Sequence, residues 1–172
     1  MPLLEEFAAM REGVQRIAAM CDALPVDEIM LARKLKHVGA AISARLEAVL
    51  QPHGLAEADF IALMQLFGNP GRNASPGELC GLTAQRPTNM TRIADALVRK
   101  GLATRTPDAR DRRRVVLRMT ARGERLARTL LPQLAAEVRD IFSALGRTQR
   151  RRFDALLLKL ATTIDSREEQ TP

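Results

Sequence analysis

Residues 86–120 read "RPTNMTRIADALVRKGLATRTPDARDRRRVVLRMT" and contain a helix pattern followed by two strand patterns. Pro87 suits the first turn of a helix, and Gly101 suits the position just past its end. The apolar residues between them recur at helical spacing: Ile93, Ala94, Leu97 and Val98. "LATRT" and "RVVLRMT" then alternate as strands do, joined by the basic segment "PDARDRR". The stretch therefore predicts a helix followed by a β-hairpin with a long basic tip, which is a wing.

A shorter helix is predicted immediately upstream, at "SPGE", residues 75–78. Ser75 is a good N-cap, Pro76 suits the first helical position, and Glu78 completes a capping box. This helix is predicted from Pro76 to about Leu82, and the link "TAQR" connects it to the next one. Two short helices with a tight connection form a helix-turn-helix motif.

Apolar residues at helical spacing predict further helices on both sides of this motif. The predicted ranges are 3–22, Val26 to about Leu50, Glu57–Phe67, Thr120 to about Leu145 with Pro132 inside it, and Gln149–Ile164. The predicted fold class is therefore mainly α with a small β-hairpin wing (α+β), a winged helix-turn-helix core flanked by other helices. The predicted organisation is N-terminal helices in 1–50, a winged helix-turn-helix domain in 55–120, C-terminal helices in 121–166 and a disordered tail in 167–172.

The net charge of +7 on 172 residues lies entirely in one segment. Residues 83–125 hold 12 Lys and Arg against 4 Asp and Glu, an excess of +8, whereas the other 129 residues hold 15 against 16. A basic charge confined to one segment is typical of a polyanion-binding face. An ordinary solvated charged face is the alternative interpretation.

Composition excludes several other classes of protein. No apolar stretch approaches the roughly 18 residues of a membrane span, and the acidic residues near the start do not fit a signal peptide, so we expect a cytoplasmic protein. Cys21 and Cys80 are far apart in sequence and the chain has only two histidines, so neither a metal site nor another cofactor is expected. A Gly-rich phosphate loop and a nucleophile with a paired base are also missing from the sequence, which argues against an enzyme.

The outward face of the helix from Pro87 carries the side chains that suit base recognition. Its first two turns hold Thr88, Asn89, Thr91 and Arg92, and Arg86 precedes them. The N-terminal part of a recognition helix meets base edges in the major groove, where Asn suits adenine and Arg suits guanine. We therefore expect these five residues to contact DNA, although helix caps and a solvated face are the alternative.

The predicted wing tip adds four arginines within five positions. Arg110, Arg112, Arg113 and Arg114 surround Asp111. A guanidinium suits the narrow minor groove, where negative potential is concentrated. We expect Asp111 to hold and aim Arg113 by an ion pair, while the three other arginines contact flanking phosphates.

The span from Ser75 to Glu124 resembles the DNA-binding core of the MarR family of winged-helix regulators. The resemblance rests on "RPTNMTRIADALVRKGLATRTPDARDRRRVVLRMTARGE", with a helix ending in L-x-x-x-G-L, a D-x-R wing and a closing L-T-x-x-G. Met119 departs from the usual Leu, and Pro87 departs at the start of the recognition helix. Within the family, the recognition helix is most similar to repressors of multidrug-efflux and aromatic-compound genes.

The resemblance implies a homodimer that interleaves the N- and C-terminal helices of two chains. The apolar faces in 3–22, 126–145 and 153–164 independently exceed what a small winged core can cover, so pairing would bury them. A two-fold dimer would present two recognition helices to a palindromic operator in double-stranded DNA.

The resemblance also implies an effector crevice that often takes small aromatic or phenolic acids. Lys34 and His37 share one face of the second helix, and we expect them near Phe60 and Met64 of the third. A cation beside apolar walls would suit an aromatic carboxylate. Purely structural roles for these residues are the alternative.

The leading hypothesis is a repressor that a small aromatic acid releases from DNA. A second hypothesis is a thiol-sensing repressor of the same fold, with Cys21 or Cys80 as the sensor, although Cys80 lies between Leu79 and Leu82 and suits a buried, inert thiol. A third is a winged-helix module that contacts only proteins, which the arginines of the wing disfavour.

Overall fold

Seven α-helices and three short strands follow one another in the computed structural model, which describes residues 2–21, 23–83, 85–107 and 114–168. The helices are α1 (Leu3–Ala18), α2 (Val26–Leu50), α3 (Glu57–Gly68), α4 (Pro76–Thr83), α5 (Pro87–Arg99), α6 (Ala121–Ile141) and α7 (Arg147–Glu168). The strands are β1 (Asn73–Ala74), β2 (Ala103–Pro107) and β3 (Val115–Met119). Single 3-10 turns lie at Gln51–His53 and Pro70–Arg72. The predicted fold class is confirmed.

The sheet is larger than the predicted hairpin. Strands β2 and β3 pair antiparallel as predicted, from Ala103 opposite Met119 to Pro107 opposite Val115. Strand β1 adds a third strand on the other side of β3, with Ala74 opposite Leu117. Two residues between a turn and a helix cap are too short to show an alternating pattern. The two-stranded prediction was therefore incomplete for a definite physical reason.

The predicted start of α4 is confirmed in atomic detail. The Ser75 hydroxyl accepts a hydrogen bond from the Glu78 backbone N–H (3.3 Å), and the Glu78 carboxylate accepts from the Ser75 backbone N–H (2.7 Å). The Ser75 hydroxyl also donates to the same carboxylate (2.9 Å). This reciprocal capping box satisfies backbone donors that the first turn of a helix leaves unpaired. It fixes the entry of the chain into the helix-turn-helix motif.

The helix termini differ from the predictions at α1, α6 and α7. Helix α1 ends at Ala18 and not at residue 22, and α6 ends at Ile141 and not at Leu145. Helix α7 starts at Arg147, two residues before the predicted Gln149, because the Gln149 side chain accepts a hydrogen bond from the Gly146 backbone N–H (2.8 Å). A glycine that breaks one helix thus also lies at the cap of the next.

Two units divide the chain, Met1–Gln133 and Leu134–Pro172. In the first unit the winged core is built from side chains that are fully buried: Leu63, Leu66, Leu79, Ile93, Leu97 and Leu117. A separate cluster of Met10, Val14 and Met30 joins α1 to α2. In the second unit, large apolar side chains of α7 are exposed, with Leu156 54% and Leu158 61% accessible.

Candidate nucleic-acid interface

Helix α5 buries one face in the winged core and exposes the other. Ile93, Ala94 and Leu97 are buried, as predicted from helical spacing, whereas Val98, predicted on the same face, is half-buried. Met90 is also buried. On the opposite side Thr88, Thr91 and Arg92 are exposed and Asn89 is partly exposed. The structure therefore brings the four predicted base-reading residues together on one polar surface at the start of the helix.

The N-terminus of α5 has no side-chain cap. Arg86 occupies the N-cap position in extended conformation, and its side chain offers no acceptor to the helix. Pro87 follows at the first helical position and has no N–H to satisfy. The free backbone N–H groups and the exposed Arg86 guanidinium give this end of the helix a positive potential. A phosphate group of DNA would be compatible with that potential.

Asn89 and Arg92 are linked to each other. The Arg92 Nε–H donates to Asn89 Oδ1 at 2.9 Å, and the Asn89 amide N–H donates to Gln85 Oε1. Thr91, on the same surface, donates its hydroxyl hydrogen to the Pro87 carbonyl (3.1 Å). The asparagine amide is thereby oriented with its oxygen towards Arg92 and its nitrogen towards Gln85.

A buried carboxylate of α3 lies beneath this surface. Asp59 is only 2% exposed, and its Oδ2 accepts a hydrogen bond from Lys100 Nζ at 2.8 Å. Its Oδ1 lies 3.9 Å from Arg92 Nη1 and has no hydrogen-bond partner within the described residues. The carboxylate therefore faces two cations, Arg92 in the second turn of α5 and Lys100 at the C-cap of that helix.

A second ion pair joins α5 to the sheet. Arg105 Nη2 of β2 donates to Asp95 Oδ1 of α5 at 2.7 Å, and both side chains are close to half exposed. An ion pair so accessible to water contributes little to stability. We call the surface formed by Thr88, Asn89, Thr91 and Arg92 the reading surface. Because Asp95, the acidic side chain of α5 nearest to it, is paired with Arg105, a phosphate bound there would meet less repulsion.

The predicted wing tip lies mostly outside the described residues. This applies to Arg110, Asp111, Arg112 and Arg113, whereas Arg114 is described and is exposed directly before β3. Strand β3 itself is anchored by Val116 and Leu117, which are buried. The predicted roles of the tip residues, including the ion pair of Asp111 with Arg113, stay predictions.

The four residues predicted to form an effector site are not joined to one another by the contacts described below. Lys34 Nζ lies 5.8 Å from the centre of the Phe7 ring, and His37 Nδ1 lies 3.2 Å from Glu6 Oε2. The partners of both α2 side chains thus belong to α1. Phe60 and Met64 lie half-buried on α3. The contacts described for Lys34 and His37 do not include either of them.

Sequence reasoning missed the residues that support the reading surface: Gln85, Asp59, Asp95, Lys100 and Arg105. Asp59 occupies the first turn of α3, where an acidic residue is expected for the helix dipole alone. Its partner Lys100 lies 41 positions away in sequence. Nothing in the spacing of one sequence predicts such a contact, because helix packing creates it.

The described residues offer no support for metal or membrane chemistry. Among them, no group of three or more His, Cys, Asp or Glu is placed to hold a metal ion. None of the helices in these residues has the length and apolar run needed to cross a bilayer. Both cysteines are free thiols, with Cys21 exposed and Cys80 half-buried.

Comparison with known proteins relates both the motif and the whole chain to bacterial regulators. A family model described as the MarR family matches residues 53–114. The transcriptional repressor MprA of Escherichia coli strain K12 is 29% identical over 164 residues, which cover 95% of this chain and 93% of that protein.

Two solved structures have the same fold. Sco3205, a MarR family transcriptional regulator from Streptomyces coelicolor solved in complex with DNA, aligns with a TM-score of 0.75 at 20% identity, covering 82% of this chain and 89% of that one. BpsR of Bordetella bronchiseptica, whose DNA binding is described as regulated by 6-hydroxynicotinic acid, aligns with a TM-score of 0.68 at 21% identity, covering 76% and 91%.

Proposed function

Because this chain is a member of the MarR family of winged helix-turn-helix transcription regulators, we propose that it is a homodimeric repressor released from its operator by a small aromatic acid. The family identity makes the chain a DNA-binding regulator and not an enzyme. The proposal itself concerns four points: the dimer, the direction of regulation, the DNA contacts and the effector. MprA, which is similar over nearly its whole length, is named as a repressor.

One observation carries the DNA-binding part of the proposal: the polar surface at the start of α5. Asn89 and Arg92 lie there side by side, with Thr88, Thr91 and Arg86 around them. An asparagine amide can pair with adenine and a guanidinium with guanine in the major groove. Arg114 and the tip arginines of residues 110–113 would add phosphate and minor-groove contacts.

The homodimer is supported by apolar side chains that are exposed in a single chain. In the first unit they include Leu4 (80% accessible) and Met20 (78%) of the N-terminal region. In the second unit they lie along α7: Phe153, Leu156, Leu158, Leu160 and Ile164. Exposed apolar surface of this kind commonly marks a protein–protein interface. A second copy of the chain, related by a two-fold axis, would cover it and pair two recognition helices.

The effector part of the proposal is supported by Lys34 and by the aromatic acid that regulates BpsR. Glu6 already faces His37, whereas no acidic side chain of the described residues is paired with Lys34. An aromatic carboxylate could therefore pair with Lys34 while its ring packs against nearby apolar side chains. Phe60 and Met64 remain the proposed walls of this site.

Selection of DNA by the 172-residue chain tests the proposal. Purified protein would be incubated with random duplexes, and the bound fraction sequenced over several rounds. We expect a palindromic site with half-sites centred about one helical turn apart, a dimer by sedimentation, and weaker binding in the presence of 6-hydroxynicotinate or salicylate. Failure to enrich any sequence would reject the function. Release by mild oxidant alone would instead favour thiol sensing through the exposed Cys21.

A further inference from the structure

Asp59 and Ser75 are the two polar side chains that the described residues bury most completely. Ser75 has an evident role in the capping box of α4. Asp59 also takes part in the N-terminal cap of α3, where its Oδ2 accepts a long hydrogen bond from the Ala56 N–H at 3.5 Å. Burying a carboxylate is costly unless cations and hydrogen bonds compensate it. The position of Asp59 therefore calls for an explanation beyond helix capping.

The two cations that approach Asp59 come from different turns of the recognition helix: Arg92 lies in its second turn and Lys100 at its C-cap. Lys100 lies eight residues after Arg92, so their Cα atoms are separated by about 12 Å along the helix axis. Both side chains nevertheless converge on one carboxylate, Lys100 at 2.8 Å and Arg92 at 3.9 Å. A single buried carboxylate on α3 thus contacts α5 and its C-cap at two points along the helix axis.

Arg92 connects this buried charge to the surface. Its Nη1 faces Asp59, while its Nε donates to Asn89 Oδ1 at 2.9 Å. Asn89 in turn donates to Gln85. A continuous chain of polar contacts therefore runs from Asp59 through Arg92 and Asn89 to Gln85. The Arg92 side chain is 56% exposed, and its contact with Asp59 is an ion pair at 3.9 Å without a hydrogen bond. Because the guanidinium group is planar and rigid, the hydrogen bond to Asn89 sets its plane while the buried carboxylate attracts its Nη1 end.

We propose that Asp59 is a positioning residue for sequence recognition: it fixes the Arg92 guanidinium, and through it the Asn89 amide, without touching DNA itself. The inference rests on the proposed function, because it assumes that α5 reads bases. Asp59 contributes to specificity more than to affinity. An Arg92 released from Asp59 would still neutralise a phosphate, but it would lose the single orientation that distinguishes one base from another.

The test compares affinities for the selected palindrome and for a scrambled duplex of equal length, at one salt concentration. In Asp59→Asn, which preserves the shape of the side chain, we expect the ratio of the two affinities to fall by about tenfold, a loss comparable to one mismatched base pair. Binding to the scrambled duplex should be unchanged or slightly tighter, because one negative charge is lost. Asp95→Asn is the matched control, since it breaks the other α5 ion pair, and its ratio should stay within about twofold of wild type.

A double-mutant cycle separates positioning from a merely structural role. If Asp59 acts through Arg92, then Asp59→Asn should change the ratio by no more than about twofold in an Arg92→Ala background. A further tenfold loss there would overturn the proposal, as would an unchanged ratio in Asp59→Asn alone. Should Asp59→Asn fail to fold, the double variant Asp59→Asn with Lys100→Gln removes both charges of the buried pair. Its ratio of palindrome affinity to scrambled-duplex affinity should fall by the same factor. If the wild type enriches no sequence at all, the proposed function fails before this inference is tested.

Discussion

The backbone of Gly123 lies directly against the backbone of Leu102: a Cβ built at Gly123 would stand 2.2 Å from the Leu102 carbonyl oxygen. Thr120 completes this junction. Its hydroxyl donates to the Gly101 carbonyl (2.7 Å) and accepts from the Gly123 N–H (3.0 Å). The start of α6 is therefore joined to the turn that ends α5, where Gly101 adopts a positive φ of 67°.

Gly123→Ala should destabilise the protein, because the Leu102 backbone cannot yield as a flexible side chain could. We expect the free energy of unfolding to fall by about 1–3 kcal/mol, the usual cost of forcing extra volume into a packed site. Gly39→Ala in α2 is the control, since nothing lies within 4 Å of a Cβ there, and it should raise stability by about 0.5–1 kcal/mol. Urea unfolding at one protein concentration measures both. Equal effects of the two substitutions would contradict the close approach.

Ser75→Ala should cost about 1 kcal/mol of stability through loss of the N-cap of α4. The Glu78 N–H would lose its acceptor and the Glu78 carboxylate one of its donors. Thr129→Ala, which removes an exposed hydroxyl from within α6, should change stability by no more than about 0.5 kcal/mol. Thermal unfolding of the three proteins at matched concentration checks this. A Ser75 variant as stable as wild type would show that the capping box contributes nothing.

Asn89→Ala and Arg114→Ala should weaken DNA binding in different ways. We expect Asn89→Ala to relax preference at one base pair of each half-site, with about 1–3 kcal/mol of discrimination lost there. Arg114→Ala should weaken all duplexes alike and reduce the slope of log affinity against log salt by about one. Titrations over a set of single-base operator variants at several salt concentrations separate the two patterns. A uniform loss from Asn89→Ala would mean that α5 does not read bases in this way.

At the wing tip, Arg113→Ala should weaken operator binding by about 1–3 kcal/mol, and Asp111→Ala more mildly. The reason is the predicted role of Arg113 in the minor groove and of Asp111 in aiming it. Circular dichroism and sedimentation should show an unchanged fold and dimer. Affinities equal to wild type at fixed salt would remove the wing from the DNA-binding mechanism.

The combined substitution of Lys34→Ala and His37→Ala should abolish the response to aromatic acids while DNA binding without ligand persists. An effector shifts the equilibrium only if it binds one state more tightly than the other, and these residues are proposed to supply that contact. Lys36→Ala, an exposed lysine on the same helix, is the matched control and should respond normally. Operator affinity measured across a salicylate titration distinguishes the outcomes. The same midpoint in the double variant would place the effector site elsewhere.

The helices, the wing hairpin and the class of fold could be predicted from the sequence, because the signals for them are local. The capping box at Ser75, Pro87 at the start of α5, Gly101 after its end and the cap at Thr120 each depend on residues within a few positions. The helical spacing of Ile93 and Leu97 likewise defines the buried face of α5 without any knowledge of its neighbours, and all of these predictions hold in the structure.

The support of the reading surface could not be predicted, because it depends on contacts between distant elements. Each of these contacts joins residues at least 27 positions apart: the pairing of β1 with β3, the contacts of Asp59 with Arg92 and Lys100, and the partners of Lys34 and His37. One sequence contains no signal for which distant side chains meet. The helices could be predicted from local energetics, but their mutual packing depends on how whole faces fit together. The buried position of Asp59 beneath Arg92 is a product of the packing of α5 against α3. In the sequence alone, Asp59 cannot be distinguished from an ordinary acidic residue in the first turn of a helix.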